Sequence, residues 1–290
     1  MILGNELEVQ AYEMQHIAQV VAEIRGNFPH YFTPFATDSL ELQFDKAIQR
    51  YEKEQNRYRA YMDLEALAEY ADDPGAFKSE TAKHCPIIQH CLNSQDEVMN
   101  GYKEAFGRTT GRALLPPVRN IAQFGRDYAL AFKDSHHEAA AAPTDLALAP
   151  LNETQYGLNS VIGYGIQSAM LYGQFPREFA HRSQSAVWAL FFLSGHKDFG
   201  LIEGSEFMMV QPKLGTCEQN YFYPAQLFGF YALQVYLLLK DACARIALTL
   251  QNRYRYIYLS EFCDHVADTH RADINVFKRS SSYVESQPWF

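Results

Sequence analysis

The run from Leu227 to Leu239, Leu-Phe-Gly-Phe-Tyr-Ala-Leu-Gln-Val-Tyr-Leu-Leu-Leu, restricts the fold more than any other segment. It is apolar on nearly every side and closes at Lys240-Asp241, so a helix here has no face to offer water. It falls short of the roughly 20 residues that a bilayer requires, so the expectation is a buried central helix and no membrane partner. Other elements must wrap it, and the chain has the material: 290 residues, 48% hydrophobic, with 20 Phe and 19 Tyr. That length allows one large domain or two of ordinary size.

Helical spacing recurs through the chain. From Glu6 to Arg25, Leu7, Ala11, Met14, Ile17, Ala18, Val21 and Ile24 share a face, and Gly26-Asn27 with Pro29 predict its end. A loop over His30 to Thr37 is expected next. Asp38-Ser39 then opens a charged helix over 38–71, stepped by Phe44, Ile48, Tyr51, Tyr58 and Met62. Such a helix would be about 50 Å long, and its narrow stripe predicts a partner helix from another protein or a second copy of this chain. Residues 76–134 read as shorter helices broken at Pro86, Gly101, Gly107 and Pro116-Pro117.

The Ala/Pro-rich tract 135–150 reads as a linker, dividing a helical region 1–134 from a compact helical domain 151–290. Within the latter, helices are expected over 154–162, 165–173, 176–194, 224–250 and 255–277. Phe199 to Ile202 and Glu206 to Val210, flanking Glu203-Gly204-Ser205, predict a small β-hairpin. The fold class is therefore mainly α, a helical bundle-like protein with that hairpin in its C-terminal half.

The formal net charge is −9, which argues against broad, unspecific attachment to nucleic acid or anionic lipid but not against a small local site. Five cysteines, Cys85, Cys91, Cys217, Cys243 and Cys263, form no C-x-x-C pair. With no leader signature at Met1 to Glu6, a reducing, cytoplasmic setting is expected.

Val161-Ile162-Gly163-Tyr164-Gly165, three residues, then Ala169 and Leu171 reads as a two-glycine turn opening a helix. Glycine lets the backbone approach a ligand closely, and amides at a helix N-terminus can hold an anion. The stretch 158–190 resembles the helix-hairpin-helix motif of DNA repair and recombination proteins. That resemblance implies a turn at Gly163, Tyr164 and Gly165 facing a DNA phosphate, with Ala169 where the two helices cross. Arg177, His181, Arg182 and Lys197 would supply a positive rim. In the glycosylase branch of that family an Asp opens the next helix, whereas Phe179 to Ala186 holds no carboxylate here, so base excision is not implied. The same glycines also suit a tight turn between packed helices that touches nothing else.

Other constellations are thinner. Glu13/His16 and Glu178/His181 have the Glu-x-x-His spacing of di-iron bundles, with Glu6 or Glu23 and Glu97 or Glu104 as further ligands, but surface pairs read as well. Glu261, His265 and Asp268 fall on one face of the last long helix, where they could hold a divalent metal or orient a base, or simply be solvated. Asp198, Glu206 and Lys213 suggest a nuclease-like set near the hairpin. His84-Cys85 and His90-Cys91 lack zinc-knuckle spacing. Arg253 and Arg255 interleave with Tyr254, Tyr256 and Tyr258, a pattern that can stack bases or pack inward. No phosphate loop, G-x-S-x-G elbow, H-E-x-x-H or dinucleotide fingerprint is found, and neither metal nor cofactor is assigned. Three readings follow: sequence-independent DNA engagement through the glycine turn within a larger assembly, an acidic helical scaffold that binds only protein, and a metal-dependent hydrolase or nuclease.

Overall fold

The computed structural model describes residues 13–37, 39–96, 99–201, 205, 207–211, 216–219 and 223–281, and it is mainly helical. Helix α1 (Met14–Phe35) runs past the expected stop at Gly26-Asn27 and Pro29. The stripe Ile17, Val20, Ile24, Phe28, Tyr31 and Phe35 is buried throughout, and that continuous apolar face outweighs the hydrogen bond lost at Pro29. Residues Glu6 to Tyr12 of the expected first helix lie outside the described residues.

The expected 38–71 helix is two helices, α2 (Leu40–Tyr61) and α3 (Leu64–Glu69). Asp63 makes the break: its carboxylate accepts the Glu65 and Ala66 amides, which starts a new helix. The α2 stripe is not left for a second protein either. Phe44, Tyr51 and Tyr58 are buried against elements of the same chain, with Tyr51 Oη donating to the carbonyls of Tyr172 and Gly173. Asp38 lies outside the described residues.

Next come α4 (Pro74–His84), α5 (Pro86–Asn93), α6 (Asn100–Arg108) and α7 (Gly111–Ala131). Helix α7 is capped by Thr110 and continues through Pro116-Pro117, because Leu114, Leu115, Val118, Ile121 and Ala122 are all drawn inward. The 135–150 tract is not an open tether. It forms α8 (Asp134–Glu138) and 3-10 turns at Pro143–Leu146 and Ala149–Asn152, with His137, Ala140, Leu146, Leu148 and Leu151 buried. These turns pack on the central helix, and one apolar core runs from Ile17 to Ile274 across the expected boundary.

Downstream lie α9 (Tyr164–Gln174), α10 (Gln184–Leu193), α11 (Ala225–Arg245), α12 (Arg255–Thr269) and α13 (Arg271–Ser281). Helix α11 is long and apolar enough to cross a membrane, but 67% of its most apolar window is buried inside the protein, as expected of a central helix. Residues 176–183 are irregular, and His270 separates α12 from α13. The small β-hairpin expected across 203–205 is not supported. Leu201 forms no strand; instead β1 (Met208–Gln211) pairs antiparallel with β2 (Thr216–Gln219). Ser205 Oγ accepts the Gly200 and Leu201 amides.

Gly111 is fixed by packing: a Cβ there would lie 1.6 Å from the Pro74 carbonyl oxygen. Gly111→Ala must therefore push α4 away from α7, at a cost of about 1–3 kcal/mol. Thermal unfolding should show Tm lowered by roughly 2–10 °C.

Candidate functional site

The residues named from sequence are mostly engaged inside the protein. Arg177 makes a two-pronged pair with Asp134, at 3.2 and 2.6 Å. Arg182 is buried, its guanidinium 3.6 Å from the Tyr223 ring centroid and 5.4 Å from that of Tyr164. Lys197 faces Glu23 at 3.8 Å, and His181 stacks on Tyr172. The expected positive rim around the glycine turn is thus spent on internal contacts.

The metal-type sets are not assembled. Glu261 pairs with Arg50 and Asp268 with Arg271, while His265 lies against Phe35. Asp198 pairs with His16, and Glu206 and Lys213 lie outside the described residues, as do Glu6 and Glu97. Glu178 and His181 sit in the irregular 176–183 segment, so helical spacing does not apply to them. Among the described residues no cluster of three His, Cys, Asp or Glu side chains has metal-binding geometry. Arg255, Tyr256 and Tyr258 are buried, which leaves only Arg253 and Tyr254 of that run at the surface, the guanidinium over the ring.

The glycine turn itself is exposed. The expected 154–162 helix is a 3-10 turn, Thr154–Tyr156, followed by a reversal that Leu158 and Ile162 bridge, with Ser160 at φ 59°. Gly163 is the N-cap of α9, and no side chain caps the helix, so its first amides stand open to an external acceptor. Neither glycine is demanded by the fold. A Cβ on Gly163 would meet nothing within 4 Å, and one on Gly165 only the Arg182 carbonyl at 3.8 Å.

A cleft of about 210 Å³ lies beside this turn, lined by Asn120, Gln123, Phe124, Asp127, Tyr128, Gln155 and Tyr156. Its wall is continuous with the turn: Gln167 of α9 donates to the Leu151 and Tyr156 carbonyls. The polar edge is pre-set, with Gln123 donating to both Asp127 oxygens at 2.8 Å and Asn120 donating to the Gln155 carbonyl at 3.0 Å. Tyr128 is anchored by its hydroxyl on the Leu146 carbonyl, and Phe124 meets Tyr156 edge to face.

Along the outer face of α7, next to this cleft, stand Arg112, Arg119 and Arg126, all exposed and in no ion pair among the described residues. Seven residues are nearly two helical turns, so the three form one line about 21 Å long. Sequence reasoning missed them, although the recurrence of Arg at a step of seven was there to be read. Gln123 falls between Arg119 and Arg126 on the same surface, which joins the line to the cleft.

Below lies a buried ionic cluster. Arg255, 0% exposed, donates to Asp134, Glu138 and the Arg177 carbonyl at 2.7, 3.0 and 2.6 Å, and Lys240 also holds Glu138. Burial alone would push the Asp134 carboxyl up, but hydrogen bonds and charge from Arg177 and Arg255 outweigh it and hold it well below the usual range. Burial pushes Glu178 the other way, up to about 7, against the pull of Arg177 and Arg255. His137, buried against Tyr256, is held neutral, its pKa lowered to about 3 by burial and then by Arg255.

Comparison with known proteins finds no matching family model, no matching curated protein and no matching solved structure.

Between about pH 4.5 and 7 native Glu178 keeps a proton that the unfolded chain has released, so its contribution makes stability fall as pH rises through that window. Glu178→Gln removes that contribution. The difference in unfolding free energy between wild type and variant should slope between pH 4.5 and 7 and flatten above it; a pH-independent difference would contradict the assignment.

Proposed function

We propose that this protein engages DNA without reading its sequence, through the glycine turn at the start of α9 and the arginine line of α7. The observation that carries the reading is the line itself: three exposed arginines, in no ion pair among the described residues, on one face of a chain whose net charge is −9. The uncapped start of α9 adds open backbone donors on adjoining surface. Backbone amides and arginines recognise phosphate, not bases, so binding of this kind is indifferent to sequence. An exposed helix N-terminus adds only about 0.3–1 kcal/mol to anion binding, so the arginines supply most of the attraction. The expected affinity is of the non-specific class, about 10⁻⁴–10⁻⁶ M at physiological salt, which suits a component of a larger assembly.

Fluorescence anisotropy of a labelled mixed-sequence duplex tests this. Three neutralised phosphates predict a slope of log K against log salt of about −2.7. Arg119→Glu/Arg126→Glu should reduce affinity at least ten-fold and flatten the slope, and unchanged binding would remove the proposal. Gly163→Ala/Gly165→Ala gives an independent check. The fold has room for both methyl groups, and Ala is better than Gly at position 165 inside the helix but poorer at the N-cap, so Tm should shift by no more than a few degrees while DNA affinity falls.

A protein-only scaffold is the second reading. Leu130, 78% exposed near the C-terminal end of the same α7 face, favours it, since an apolar side chain beside arginines is a common protein-binding surface. Under that reading titrations with duplex and with single-stranded DNA both stay flat.

A further inference from the structure

Resting on the DNA reading above, we infer that the strand engaged is single, and that the cleft between α7 and the Thr154–Tyr156 turn receives one of its bases. The volume decides what can enter. About 210 Å³ is below the roughly 300–1,000 Å³ of clefts that hold drug-sized ligands, so it suits one planar ring system and not a whole cofactor.

The walls fit such a ring. Phe124, Tyr128 and Tyr156 are half-buried, and each is held by the fold: Tyr128 through its hydroxyl, and Phe124 and Tyr156 against each other edge to face, with Phe124 also stacked on Tyr128. Rings fixed in this way are stacking platforms that need no ordering on binding. The rim offers both kinds of hydrogen-bonding group: Asn120, Gln123 and Gln155 can donate and accept, and Asp127 accepts. A carboxylate in the cleft, with Glu153 joined to Gln155 beside it, repels phosphate and receives the exocyclic amine of a base. Phosphates are thereby directed outward to Arg119 and Arg126, with bases turned inward.

A base inside a duplex cannot enter, because its faces are covered by its neighbours and its edge by its partner. A single strand presents both face and edge freely, and 21 Å of arginine line matches about six nucleotides at the B-form rise. Single-strand grooves combine these same two parts, a line of cations and aromatic rings beside it.

The experiment compares a labelled 20-nucleotide single strand with a duplex of equal length, using the full chain and its Tyr156→Ala and Tyr156→Phe variants. The wild type should prefer the single strand at least five-fold, with a salt slope of about −2 for three contacts. Tyr156→Phe should keep that preference and Tyr156→Ala should lose it, a loss of about five-fold or more for one stacked base. A single strand carrying 2-aminopurine reads the same event in the unaltered protein, since stacking on a ring quenches its fluorescence. Equal binding of both forms with no quenching overturns this inference and leaves the DNA reading standing. Binding of neither form overturns both.

Discussion

Arg255 is the residue on which the rest of the structure depends. Its guanidinium, wholly shielded from water at the start of α12, joins α8 through Asp134 and Glu138 to the 176–183 segment through the Arg177 carbonyl. Lys240 carries the connection into α11 through Glu138. A buried guanidinium is costly unless its charge and its donors are answered, and two carboxylates with a carbonyl answer most of that need here. Removing both carboxylates would strand a charge in the core, and leaving a buried charge without a partner typically costs about 3–5 kcal/mol. The cluster thereby fixes where α8 lies, and with it the C-terminal end of α7, since Phe132 stacks under both Arg177 and Arg255. The rest of α7 is seated by its own buried face, from Gly111 to Gly125.

That dependence explains why part of the fold was legible in the sequence and part was not. The central helix was legible because its apolar residues recur on all sides, a local pattern that only burial satisfies. The start of α9 was legible from Gly163 and Gly165. The 135–150 tract was not: alanine, proline and histidine carry no periodic signal, and what orders the tract is its packing on α11 and the pairing of Glu138 with Arg255, both about a hundred residues away. The same long-range packing overrode the helix stop at Pro29 and the breaks at Pro116-Pro117. The opposite error at 38–71 arose because Asp63, inside the expected helix, is the cap of a new one.

The candidate site shows a parallel division. Arg177 and Arg182 were singled out for their closeness in sequence to the glycine turn, yet sequence distance does not say which way a long side chain turns. One faces Asp134 and the other lies under Tyr223. Arg112, Arg119 and Arg126 carry no motif, but a step of seven fixes their common face whatever the tertiary contacts. Their exposure could be known only once α7 was seen to bury the opposite side, from Leu114 to Gly125.

A negative protein and a phosphate-binding face are compatible on length scale. At physiological ionic strength charges separated by more than about 8 Å are largely screened. The arginine line is about 21 Å long, well beyond that distance, so a linear polyanion laid along it feels the three arginines far more than the acidic residues elsewhere. At low ionic strength the screening length grows, and the net negative charge then opposes the approach of the polyanion. The combination selects ligands that can follow the α7 face for its whole length. A small anion meets one arginine and gains little, whereas a nucleic-acid strand meets several at once. Local charge, held in line by a helix whose buried face fixes its placement, therefore decides what this surface can bind.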